Sequence, residues 1–155
     1  MKKLFLFTIT LYLLSCQDGP RAALNENFES ANPKVKLPYS DLIGGYVLDD
    51  DSKKRFNIKD TAKMDLQIKK DTSLVVNNHL ALNDRSLLNK SLQSKLYYIN
   101  DLESIYLGLF NHEISSSGRL GIYYRKSDKT WALYVYFKPL KGQEHGDYLR
   151  YIKVK

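Results

Sequence analysis

Through residues 39–155, apolar residues tend to recur at every second position, the spacing of strands with one buried face. Met64, Leu66 and Ile68 alternate with Asp65, Gln67 and Lys69. Asp71-Thr72 breaks that run, and Leu74 and Val76 resume it before Asn77-Asn78, which predicts a hairpin. Residues 42–48 predict an earlier strand, whose Gly44 and Gly45 allow a sharp bend or the close approach of another backbone. Later strands are expected over residues 94–99, through Ile105, Leu107 and Leu109, and through Leu120, Ile122 and Tyr124. Two more follow, through Trp131, Leu133, Val135 and Phe137 and over residues 148–154. Polar turns at 115–118, 127–129 and 141–147 separate these later strands. The fold class is therefore all-β: an antiparallel meander of about eight strands, either a barrel or a strongly curled sheet. A β-sandwich is the alternative, because period two does not distinguish open from closed sheets. The expected core is Leu66, Ile68, Leu74, Val76, Ile105, Leu107, Leu109, Ile122, Trp131, Leu133, Val135, Phe137 and Ile152. One segment departs from the pattern. Residues 84–95 set Leu87, Leu88 and Leu92 at helical spacing behind a candidate Asp84 cap, which predicts a short helix.

The late strands are apolar on both faces. Opposite Trp131, Leu133, Val135 and Phe137 lie Ala132, Tyr134, Tyr136 and Lys138, while Tyr106 and Tyr123 oppose their own aliphatic neighbours. A ligand cavity needs apolar walls and a few polar anchors. Tyr106, Tyr123, Tyr134, Tyr136 and Arg125 supply both if their face points inward. If that face points outward, it offers a partner large apolar contacts with polar tips. Cross-strand tyrosine pairing that only steadies the sheet is the third reading.

The N-terminus has a different character. Met1-Lys2-Lys3 is followed by an uncharged apolar run, residues 4–14, and then Ser15-Cys16. That run is too short to span a bilayer core, which takes roughly 20 residues of helix, but it suits a signal peptide. Charged start, apolar run and small residue before cysteine resemble the lipobox of bacterial lipoproteins. The resemblance implies that residues 1–15 are removed, that Cys16 carries diacylglycerol and an acylated amino group, and that membrane lipid is a partner. Several acyl chains together make a stable anchor where one does not. Gln17 follows the cysteine where an enteric inner-membrane retention signal would have Asp, so an outer-membrane address is expected, with its periplasmic or surface side open. Residues 16–38 carry three of the four prolines and little apolar periodicity, which predicts a tether before the β domain of residues 39–155. An edge strand paired to the domain is the alternative there.

Composition narrows the function classes. The formal charge is +7, and loss of Lys2 and Lys3 with the signal peptide lowers it to +5. The basic residues are scattered and interrupted by acids, which argues against nucleic acid as a partner. Cys16 is the single cysteine, so lipidation leaves no thiol for a disulfide or a nucleophile. His79, His112 and His145 stand apart, without the helical spacing of zinc hydrolases. Asp49-Asp50-Asp51 reads as a solvated acidic turn, lacking the further ligands of a calcium loop. No nucleophile elbow, phosphate loop or dinucleotide fingerprint occurs. No catalytic residue, metal ligand or cofactor is expected.

Gly44-Gly45-Tyr46 at the first of these strands resembles the Gly-x-Trp opening of lipocalin-like bacterial lipoproteins, with Tyr46 in the tryptophan position. The resemblance implies a cup-shaped barrel for a small apolar ligand, with Arg150 in the last strand over the Tyr46 ring. Residues 117–123, Ser-Gly-Arg-Leu-Gly-Ile-Tyr, are also similar to the Ser-Gly-x-x-Tyr loop of membrane-bound lysozyme inhibitors, though the tyrosine comes later. The expectation is a noncatalytic envelope lipoprotein that binds a small apolar ligand or an envelope partner. The alternatives are an enzyme inhibitor using the 115–118 turn and a purely structural lipoprotein.

Overall fold

The computed structural model describes residues 26–32, 34–35, 37–100 and 105–154; the lipobox and Cys16 lie outside them. Nine strands form among the described residues: β1 (Phe28–Ser30), β2 (Gly44–Leu48), β3 (Asp65–Ile68), β4 (Ser73–Leu80), β5 (Leu87–Asn100), β6 (Ile105–Leu109), β7 (Arg119–Arg125), β8 (Trp131–Phe137) and β9 (Asp147–Lys153). From β2 to β9 each strand pairs antiparallel with the next, and β2 pairs with β9 through Val47↔Ile152 and Leu48↔Tyr151. The sheet is thus a closed, lipocalin-like barrel of eight strands, with β1 added outside that circuit. Closure removes sheet edges and settles barrel against sandwich.

The aliphatic face of every barrel strand points inward. Leu66, Ile68, Leu74, Leu107, Leu120 and Leu133 are all 0% exposed. A void wide enough for water would leave such walls accessible, so side chains pack without water-sized gaps at these positions. Tyr46 is also inside, its hydroxyl donating to the Leu42 carbonyl at 2.7 Å. That bond ties β2 to the 3-10 turn Tyr39–Leu42, whose Leu42 is buried in the same core. Gly44 adopts φ +136°, which only glycine takes without strain, and so lets the chain swing from that turn into β2.

At the far end of β2 the acidic triplet starts a helix, α1 (Asp50–Arg55), with Asp49 as its cap accepting from the Ser52 amide at 2.9 Å. The predicted acidic turn is therefore a helix start. Phe56 follows α1 and packs on Phe137 with ring centroids 5.9 Å apart, beside Arg85, whose guanidinium lies 4.4 Å over the same ring.

The structure corrects several expectations. Residues 84–95 form no helix: Asp84 sits in the β4–β5 turn, accepting from the Ser86 amide and hydroxyl, and β5 begins at Leu87. Pairing with β4 wins because it buries Leu92, Ser94 and Leu96 on one face, whereas an isolated turn or two of helix is marginal. In β9 the inward residues are Leu149 and Tyr151, so Ile152, expected in the core, packs outside. Trp131 is only partly buried, at the edge of the core.

Part of the expected tether lies against the barrel. β1 runs beside β7 with Phe28↔Arg125, Glu29↔Tyr124 and Ser30↔Tyr123, while β6 pairs with β7 only through residues 119–121. The edge of β7 is thus shared: β6 takes its first half and β1 its second. The Ala31 amide extends the β1 half, donating to the Ile122 carbonyl at 2.9 Å.

Candidate functional site

The tyrosine-rich face of β6–β9 points outward. Its base is a second, smaller cluster in which Phe28, Ala132 and Tyr134 are buried, with Tyr123, Tyr148 and Ile152 packed against them. Tyr134 is at the centre: its ring lies 4.1 Å from Tyr123, 5.9 Å from Tyr148 and 6.2 Å from Phe28. Burial pushes its phenol up to about 12, against a smaller opposing pull from Arg150.

Arg150 locks this cluster to the barrel end. It is 4% exposed, its Nε donates to Asp49 at 2.5 Å and its Nη2 to Asp51 at 2.8 Å, and its guanidinium stands 4.1 Å over the Phe28 ring. The ring under Arg150 is therefore Phe28 and not Tyr46, because odd and even positions of β9 face opposite ways and position 150 faces out. Asp49 thus serves two partners, the α1 amide and a nearly buried guanidinium.

Above the cluster lies a cleft of about 320 Å³ lined by Tyr106, Ser117, Arg119, Gly121, Tyr123, Tyr136 and Tyr148. Gly121 makes its floor. It is the register partner of both Tyr106 and Tyr134, and a Cβ there would come within 2.9 Å of the Tyr123 ring. Tyr136 and Tyr148 face each other as a cross-strand pair, with ring centroids 5.1 Å apart. The Arg119 guanidinium stacks 4.3 Å over Tyr106, and among the described residues no ion pair holds it.

Of the residues singled out in sequence, Tyr106, Tyr123 and Tyr136 meet in this cleft, and Tyr134 is buried beneath it. Arg125 is elsewhere. It shares the outward face of β7 but lies at the turn, where Nε and Nη2 grip Asp128 at 3.0 and 2.9 Å and help hold that carboxyl down to about 2. Arg119, Gly121 and Tyr148 were missed, although period two carried back from Tyr123 reaches the first two. The 115–118 turn abuts the cleft through Ser117, while Ser115 is wholly buried and donates to the Arg119 and Tyr136 carbonyls as a structural clasp.

A second hollow, about 660 Å³, opens at the α1 end between residues 56–63 and the β4–β5 turn, with Lys59, Lys63 and Arg85 among its walls. Arg85 is committed there, donating to the Lys138 carbonyl at 2.5 Å and to that of Leu82. Among the described residues no three acidic, histidine or cysteine side chains gather as a metal site, and no helix is long and apolar enough to cross a membrane. The chain matches no family model, no curated protein and no solved structure.

Proposed function

We propose that the protein is a noncatalytic lipoprotein of the outer membrane, anchored through acylated Cys16, that holds an envelope partner on the tyrosine cleft outside its barrel. The observation that carries this reading is the direction of the tyrosine face. Those side chains lie outside a barrel whose inward aliphatic residues are buried without gaps, which removes support for a small apolar ligand inside. Tyrosine at an exposed concave site favours docking, since each ring contributes a large apolar contact with little rotamer entropy to lose. Ser117 brings the 115–118 turn to the same cleft, so inhibition of a docked enzyme is one form the function can take. A photocrosslinker at Tyr136, installed in the native host, tests the reading against one at Gln67 on the opposite polar wall. Capture at Tyr136 alone is expected; equal capture at both positions, or none, defeats it. Mass spectrometry of the mature N-terminus tests the anchor, and an unmodified Cys16 defeats that part.

A further inference from the structure

The cleft is one section of a longer aromatic strip. On β5, the Tyr97 ring lies over Gly108 of β6, its register partner, where any Cβ would overlap the ring. Tyr97 is 45% exposed and Phe110, whose ring centroid is 5.0 Å away, is 69% exposed. Gly108 is in turn the register partner of Arg119 on β7, and Arg119 shares the cleft with Tyr136 and Tyr148 of β8 and β9. The strip therefore crosses five strands, about 19 Å at roughly 4.8 Å per strand. Two glycines shape it: Gly108 lets Tyr97 lie flat, and Gly121 hollows the space beneath Tyr123.

We infer that this strip binds an acidic glycan, a chain of sugar rings bearing carboxylates. The inference rests on the docking role proposed above and names the chemistry of the partner. Three features select that class. The exposed Tyr97 ring over Gly108, with exposed Phe110 against it and half-buried Tyr123 beside Gly121, presents apolar faces of the size of a sugar ring's C–H face. The phenol hydroxyls of Tyr106 and Tyr136 beside them offer a donor and an acceptor each for sugar hydroxyls. Arg119 is the charged member of the cleft lining, with no carboxylate beside it there, and a guanidinium matches a carboxylate in two parallel hydrogen bonds. An extended strip fits a polymer better than a single small molecule, which the cleft alone would hold. Most of the rings are already braced against one another, so binding costs little ordering.

The test is calorimetric titration of the full chain in detergent micelles with oligogalacturonate, neutral dextran and polyglutamate as probes. Oligogalacturonate is expected to bind, and dextran and polyglutamate at least 10-fold more weakly. Arg119→Gln and Tyr97→Ala are each expected to weaken oligogalacturonate binding at least 10-fold. Circular dichroism checks that both variants fold, and both positions are outside the core. Equal binding of polyglutamate would reduce the strip to a charge effect and overturn the inference; equal binding of dextran would overturn it too, because the carboxylate would then select nothing. No binding of oligogalacturonate overturns it outright. If Tyr136 still captures a protein partner in that case, the docking role stands without the glycan; if Tyr136 captures nothing, both fall.

Discussion

The wall made by β3, β4 up to Asn77 and residues 91–95 of β5, and the wall that runs from Tyr97 at the end of β5 through β6 to β9, have the same inner face and opposite outer faces. Inside, Leu66, Leu74 and Leu92 on the first wall match Leu107, Leu120 and Leu133 on the second. Outside, the first wall through Asn77 is polar and satisfied locally: Asn77 donates to Asp65 at 2.8 Å and accepts from Ser91 at 2.7 Å, and Lys95 pairs with Asp71 at 3.1 Å. The second carries Tyr106, Tyr123, Tyr134, Tyr136 and Tyr148 over a small core of its own. A barrel closes on its inner face, so the polar wall demonstrates that aromatic rings outside are unnecessary for closure. The contrast separates residues that hold the fold from residues available for recognition.

The comparison breaks most severely if the inner faces are unequal. Leu66→Ala and Leu120→Ala, one on each wall and both 0% exposed, are each expected to cost about 2–5 kcal/mol by urea unfolding, from lost transfer energy and the cavity left behind. A cost below 1 kcal/mol on either wall would deny that the interior is closely packed.

Next in size is the lock between the barrel and the outer core. Asp49→Ala removes the α1 cap and the better buried of two carboxylates at Arg150. About 2–4 kcal/mol is expected, short of stranding a buried charge because Asp51 remains. The same region contributes to the alkaline limit, beside the interior tyrosines Tyr46 and Tyr151, whose phenols burial raises further. The Tyr134 phenol is raised to about 12 in the fold, against about 10 in an unfolded chain. Its contribution is complete below pH 10 and is lost as pH rises from 10 towards 12, because the unfolded chain releases the proton first. Tyr134→Phe is expected to soften the alkaline fall in stability; an unchanged profile would place the sensitivity in the interior tyrosines.

The acid limit is smaller and lies in β4 just beyond the first wall. His79 of β4 is 5% exposed, its Nδ1 has no hydrogen-bond partner among the described residues, and burial pulls its pKa below the usual value. The neutral ring is therefore favoured in the fold. Stability should hold above pH 6.5 and decline as pH falls below it, where the unfolded chain takes up the proton more readily. His79→Leu should flatten that decline in a thermal-melt series from pH 7.5 to 5. Smallest of all, Tyr136→Ala should shift stability by less than about 1 kcal/mol, since the side chain lies half-buried at the cleft rim. A loss like that of Leu120→Ala would assign the tyrosine face to the fold and cancel the contrast between the walls.

Strand content was legible because alternation survives in single sequences: Met64 to Val76 and Trp131 to Phe137 announce half-buried strands without any partner being known. Leu87, Leu88 and Leu92 satisfied a helical spacing as well, and only the pairing of β4 with β5 decided for a strand. Three of the four tyrosines of the cleft, Tyr106, Tyr123 and Tyr136, were legible as one face. Arg119 and Tyr148 join them through strand register, and Arg125 leaves them for the Asp128 turn.

By itself the sequence determined that these strands have two faces and that the late ones are apolar on both. It could not determine which face turns inward, since a period of two is unchanged when every residue swaps sides. Tertiary structure made that choice by joining β2 to β9, residues about a hundred positions apart, so that the aliphatic face shrank to an interior with no water-sized gaps along its leucines. The planar rings were left outside, where Phe28 of β1 covers part of them and leaves the rest open. Alternation is a local property of the chain, whereas closure is a property of strands far apart in it, and the orientation of the tyrosine face belongs to closure.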